Sequence, residues 1–129
     1  MRKRFLTLSL FLISLVGYSQ EIKIKDDIVS IDGKECLKIG GDANNVSILD
    51  LEGNEIIFLK FIHNSKYGKL YNKVTFLDKK LSFTSMSYIF TKKLLIKKLL
   101  DDKTLNECKL DSEKVEKFVM KYDENVETN

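Results

Sequence analysis

The hydrophobic pattern of this chain changes period once, and that change decides what can fold as sheet and what as helix. From Ile22 to Thr84 the apolar residues come in short runs broken by turn residues. From Tyr88 onward they recur at three- and four-residue spacing. Strands followed by helices predict an α+β fold rather than an alternating α/β one.

The front part reads as strands joined by tight turns. Ile28-Val29-Ser30-Ile31 and Lys34 to Ile39 flank Asp32-Gly33. Asp-Gly between β-branched runs predicts a hairpin, because both turn residues tolerate positive φ. A two-residue turn sets Val29 opposite Cys36 and Ile31 opposite Lys34. Ile22 to Ile24 is expected as a short edge strand, and Gly40 to Asn45 as a loop. Val46–Leu51 and Glu55–Ile62 form a second pair around Glu52-Gly53-Asn54. Ile56 to Leu59 is apolar on both faces, which predicts a central strand covered on both sides. Asn64 to Gly68 is expected to turn. Leu70–Leu77 and Leu81–Thr84 make a third pair through Asp78-Lys79-Lys80. Together these predict an antiparallel β-meander of about six strands.

Two helices follow. Tyr88 to Leu100 places Leu95, Ile96, Leu99 and Leu100 on one side, with Lys93, Lys97 and Lys98 on the other. Asp101-Asp102 is unfavourable in a last turn and predicts the end of that helix. Asp111 is an N-cap candidate for a second helix. Leu110 and Val115 fit a hydrophobic staple across it. Val115, Phe118, Val119 and Tyr122 form a stripe at i, i+3, i+4 and i+7. Glu113 and Lys117 are spaced to pair. Both helices are expected to pack on one sheet face, and the polar segment from Asp123 to fray.

The N-terminus reads as an export signal, residues 1–19. Arg2, Lys3 and Arg4 are its basic region, Phe5 to Val16 its apolar region, and Gly17-Tyr18-Ser19 its cleavage site. The apolar run falls short of the ~20 residues that span a bilayer. Cleavage after Ser19 leaves Gln20 first. An apolar leader ending in a small residue before Gln resembles the exported proteins of the Bacteroidota; the resemblance covers the leader alone and names no function. The first Cys is Cys36, away from the cleavage point, so no lipid anchor is expected. No later segment is apolar enough to span a membrane. A soluble periplasmic or released protein is expected, with residues 20–129 as one domain. A domain of that size buries roughly 60–70% of its unfolded surface, enough for a core.

The formal charge of +3 resides entirely in Arg2, Lys3 and Arg4; the rest of the chain balances 19 Lys with 19 acids. That balance is segregated. Residues 20–59 carry net −5, residues 60–98 net +9 with Asp78 their one acid, and residues 99–129 net −4. Such asymmetry either marks a binding surface or folds the basic middle against the acidic ends.

Cys36 and Cys108 are the two cysteines. In an oxidising compartment an isolated pair usually bonds. The bridge would close a loop of ~70 residues, worth roughly 4 kcal/mol in the chain-entropy account. Two buried free thiols are the alternative. There is no Cys-x-x-Cys redox motif.

Catalytic constellations are scarce. His63 is the one histidine and is most simply a loop residue at a strand end. One His and two distant Cys do not make a tetrahedral zinc site. Gly40–Asn45 and Asp50–Asn54 have the composition of calcium loops but not the EF-hand order, and turn chemistry explains them. Asp26-Asp27 and Asp101-Asp102 are most simply solvated turns. A domain without Trp offers little surface for stacking sugars. No phosphate-cradling glycine loop is present. The strongest candidate surface is the basic amphipathic run carrying Lys92, Lys93, Lys97 and Lys98.

The sequence therefore predicts a small exported, non-enzymatic binding or interaction protein, without cofactor or metal. Its expected partner is an envelope protein or an anionic surface. Nucleic acid is not expected, since export removes the chain from the genome. A second reading is recognition of anionic lipid, lipopolysaccharide or acidic glycan through Lys92, Lys93, Lys97 and Lys98. A third is a small enzyme with a dispersed site drawn from His63, Asp32 and Tyr71.

Overall fold

The computed structural model describes residues 20–128; the expected leader, residues 1–19, lies outside them. Seven strands form one antiparallel sheet in sequence order: β1 Ile22–Lys25, β2 Ile28–Ile31, β3 Lys34–Gly41, β4 Asn45–Leu49, β5 Glu55–Ser65, β6 Gly68–Phe76 and β7 Leu81–Ser85. Two helices follow, α1 Lys92–Asp101 and α2 Ser112–Tyr122. Between them lies a small hairpin of β8 Leu105–Asn106 and β9 Lys109–Leu110. The fold is α+β, as expected. The meander has seven strands, with the expected edge strand from Ile22 pairing fully with β2. No described helix is long and apolar enough to cross a membrane.

Turn chemistry sets the meander. Asp26 and Asp27, and Asp32 and Gly33, adopt positive φ, the geometry of two-residue turns that match strand twist. Gly41 turns at φ +87°, and a Cβ there would lie 1.9 Å from the Asn45 carbonyl oxygen, so only glycine fits. Asp42 and Asp50, the acids of the two calcium-like stretches, are engaged in their own turns. Asp42 accepts from the Asn44 and Asn45 amides, Asp50 from the Glu52 and Asn54 amides. These bonds hold both carboxyls below the usual range, with the Asn44 amide the main cause for Asp42 and the Asn54 side chain for Asp50.

One expected register is corrected. Ile31 faces Lys34, but Val29 faces Leu37, not Cys36. A β-bulge makes Cys36 the extra residue between the Ser30–Glu35 and Val29–Leu37 pairs. Released from strict alternation, Cys36 and Leu37 are both buried. Cys36 bonds Cys108 at a Cα–Cα distance of 5.2 Å, so the expected disulfide is present.

One core joins the sheet to both helices. Val29, Leu37, Ile48, Leu59, Val74 and Phe83 meet Leu95, Ile96 and Leu99 of α1 and Val115 and Phe118 of α2. Phe118 packs edge-on to Phe76 and Phe83, with centroids 6.0 and 5.9 Å away. Each such pair adds about 0.5–1.5 kcal/mol beyond area burial.

The first helix begins at Lys92, four residues later than expected. Thr91 caps it, accepting from the Leu94 amide, while Tyr88 and Phe90 lie outside the helix and stack at 4.8 Å. The Phe90 amide donates to Asn72 Oδ1 instead of entering a helix. Asp111 caps α2 as expected. The ion pairs of α2 run from Glu116 to Lys79 at 2.8 Å and from Lys121 to Asp102 at 3.2 Å, in place of a Glu113–Lys117 pair.

The segment from Asp123 does not fray. The free edge of β7 offers the Thr84 amide and carbonyl, and the chain takes both. Asp123 Oδ1 accepts from Thr84 N, and Glu124 N donates to Thr84 O at 2.8 Å. Val126 N then donates to Thr84 Oγ1. An edge strand that would invite foreign pairing is thereby covered. Beyond it the chain reaches the sheet face opposite the helices. There Tyr71 and Lys73 stand opposite Ile62 and Lys60, alternating with the core residue Val74.

Candidate functional site

In a meander, alternate turns share one end of the sheet. The β2–β3, β4–β5 and β6–β7 turns therefore lie together, and the disulfide brings the β8–β9 turn to them. Between these turns is a cleft of about 650 Å³. Its apolar surface is Leu51, Ile56, Leu77 and Leu110, with the Cys36–Cys108 bridge in one wall. Leu51 is 40% exposed, a large apolar side chain facing water on the lip. Five carboxylates surround it, those of Asp50, Glu52, Glu55, Asp78 and Glu107, against the one ammonium of Lys109.

Those carboxylates are not equivalent. Asp50 is spent on its turn, and Glu55 accepts from the Ser47 hydroxyl. Glu52 and Glu107 are exposed and make no ion pair among the described residues. The wall that carries Glu107 is stiff. Glu107 and Cys108 fill the two-residue β8–β9 turn, both at positive φ, and Cys108 is bonded across to β3.

The four lysines of α1 do not form one face. Lys92 is spaced i, i+3, i+4 and i+7 with Leu95, Ile96 and Leu99, so it lies along the core side and is half-buried. It borders a hollow of about 300 Å³ with Thr91, Asp27, Asp42 and Phe61 at the other end of the sheet. Lys97 pairs with Asp101 at 3.1 Å. Lys98 lies 5.7 Å over the Tyr88 ring, and the side-chain hydrogen bond with Tyr88 raises its pKa. Lys93 is exposed, and neither it nor Lys92 makes an ion pair among the described residues.

The wider basic block is split as well. Lys73 bonds Glu127 and Lys79 bonds Glu116, both in the acidic C-terminal third. Lys60 stands directly opposite Lys73 on the outer sheet face.

The residues named for a dispersed site stay apart. Asp32 is in the β2–β3 turn, accepting from the Glu21 amide. His63 is within β5 rather than at its end, and its Nε2 lies 3.0 Å from Asn44 Oδ1. It faces Leu70, whereas Tyr71 faces Ile62, so His63 and Tyr71 are on opposite sheet faces. Tyr71 is buried and donates to Glu127. No three His, Cys, Asp or Glu among the described residues are grouped to hold a metal ion.

Sequence reasoning missed the cleft because its parts lie in three separate turns and on β3, none with a motif of its own. The usable signal was topological: a meander ordered as expected puts Glu52 and Asp78 at one end, and the expected disulfide adds Glu107. No protein family, curated protein or solved structure matches the chain.

Proposed function

We propose that the chain is a small exported, non-catalytic interaction domain that docks a partner in the cleft beside the disulfide. The observation that carries this reading is an apolar hollow of about 650 Å³ with Leu51 exposed on its lip. Its volume lies in the ~300–1,000 Å³ range of ligand sites. The separation of Asp32, His63 and Tyr71 argues for binding rather than chemistry. Export is supported by the basic, apolar and small-residue order of residues 1–19. A disulfide also suits an oxidising compartment.

The test places a photo-crosslinking residue at Leu51 and, as a control, at Lys25 on the outer sheet face. Irradiated cells should yield a discrete heavier adduct from position 51 alone. Equal labelling from both positions, or none from 51, sinks the docking site. Intact mass of the same protein should begin at Gln20; a retained leader removes the export claim.

A second reading keeps the lysine helix as a surface for anionic lipid, lipopolysaccharide or acidic glycan. Lys92 and Lys93, which make no ion pair among the described residues, favour it. Each such lysine near an anionic bilayer contributes about 1 kcal/mol. Co-sedimentation with anionic vesicles across a salt series, lost in a K92E/K93E variant, is its expected result. No sedimentation at low salt removes it.

A further inference from the structure

We infer that the cleft takes an extended basic segment of a partner protein, with an aliphatic or aromatic side chain seated against Leu51 and Ile56 and lysine or arginine side chains at the rim. The inference rests on the cleft being the docking site and adds what it recognises.

Charge complementarity is the first argument. Carboxylates outnumber ammoniums five to one around the opening, and like-sign surfaces are kept from binding by the repulsion they meet. An acidic peptide or an anionic polymer is therefore excluded from this end of the molecule. The neutral balance of residues 20–129 gives no general field to overcome that local one.

The spacing of the charges distinguishes a chain from an ion. Glu52, Asp78 and Glu107 come from three different turns. They do not converge into a group that holds a metal. A ligand that satisfies them must spread its positive charge along its length, as basic side chains on a peptide do. The apolar surface between them then requires a hydrophobic group between the cations. Alternation of basic and apolar residues in an extended segment supplies both.

The wall is pre-formed. Glu107 is fixed in a two-residue turn at φ 51°, beside Cys108 at φ 66°, and the disulfide anchors that turn to β3. A ligand meets a backbone turn already in place and bears only the cost of ordering the Glu107 side chain.

The test uses fluorescence anisotropy with the disulfide-intact protein and three short labelled peptides of equal length. One alternates lysine with leucine, one glutamate with leucine, and one lysine with serine. The lysine–leucine peptide should bind, more weakly as salt rises. The glutamate–leucine peptide should not. The lysine–serine peptide should bind about tenfold more weakly, the loss expected for one unburied aliphatic side chain. An E52K/E107K variant, changed only at exposed positions, should lose about tenfold for the lysine–leucine peptide through rim charge. A K92E/K93E variant should bind it like the wild type. Equal binding of the lysine–leucine and glutamate–leucine peptides overturns the inference, as does indifference to E52K/E107K. Failure of the lysine–leucine peptide while the Leu51 adduct persists in cells overturns the ligand class and leaves the docking site standing. Failure of both overturns both.

Discussion

The Tyr71 hydroxyl donates to Glu127 Oε2 at 2.7 Å, tying the end of the chain to the sheet face turned away from the helices. Tyr71 is 1% exposed, and the Ser65 hydroxyl donates to it at 3.5 Å. The same carboxylate bonds Lys73, which stands opposite Lys60. Like charges paired across strands destabilise a sheet, and Glu127 relieves that pair. The Tyr71 hydroxyl, with Lys73 second, holds the Glu127 carboxyl below its usual range. Glu127→Ala should therefore destabilise the protein by about 1–3 kcal/mol, the cost of a buried hydroxyl left without its acceptor. Thermal melts read this directly. A Tyr71→Phe/Glu127→Ala double-mutant cycle should return a coupling energy above 0.5 kcal/mol, the level at which contacting residues are distinguished from independent ones. Additive effects would mean the bond contributes nothing.

Glu124 makes the protein acid-sensitive. Its carboxylate collects the Ser87 hydroxyl and amide, the Met86 amide and the Ser85 hydroxyl, and these bonds, the Ser87 hydroxyl foremost, pull its pKa from 4.5 to about 2. A depressed folded pKa stabilises the native state above the unfolded value and stops doing so as pH falls through the folded one. The stabilisation is thus complete above pH 4.5 and disappears toward pH 2. Urea denaturation from pH 6 to pH 2 should show wild type losing its advantage over Glu124→Gln across that window. Parallel curves for the two proteins would refute the role of Glu124.

Strand order, the hairpin at Asp32-Gly33, the cap at Asp111 and the disulfide were legible because each is a local rule or a choice among few partners. What was not legible depends on groups far apart in sequence. The bulge at Cys36 answers to a cysteine beyond α1, not to its own hairpin. Tyr88 and Phe90 precede the helical stripe, yet stacking on each other and edge-on packing against Tyr122 outweigh helix propensity. The polar composition after Tyr122 reads as frayed until β7 is known to present an open edge at Thr84. For the candidate site, lysines concentrated in one stretch were conspicuous, while carboxylates scattered over three turns were not. Sequence proximity favoured the first and tertiary proximity made the second.

The disulfide supports the hairpin on which the cleft depends. Strands β8 and β9 have two residues each, too few to hold a turn whose two central residues are both at positive φ. The Cys36–Cys108 bridge spans 72 residues, worth about 4 kcal/mol in the chain-entropy account. Cys36→Ser/Cys108→Ser should lower stability by that order. It should also speed amide exchange at Asn106 to Lys109 more than in β5 or β6. Uniform acceleration across all strands would mean that the bridge acts only on the unfolded chain.

Phe118 couples the second helix to the end of the chain. It and Val115 are the buried residues of α2, and its ring lies 6.0 Å from Phe76, 5.9 Å from Phe83 and 4.7 Å from Tyr122. Asp123 and Glu124 follow directly, so their bonds to Thr84 hold only while α2 is seated. Phe118→Ala should cost about 3–5 kcal/mol, the range for truncating a buried aromatic. That is a large part of the ~5–15 kcal/mol available to a domain. Phe118→Leu fills more of the space and should cost less. In the milder variant, native-state exchange of the Thr84 amide should accelerate more than that of Leu59 in the sheet centre. Equal acceleration at both would mean that helix and tail open only with the whole domain, and the coupling assigned to Phe118 would be wrong.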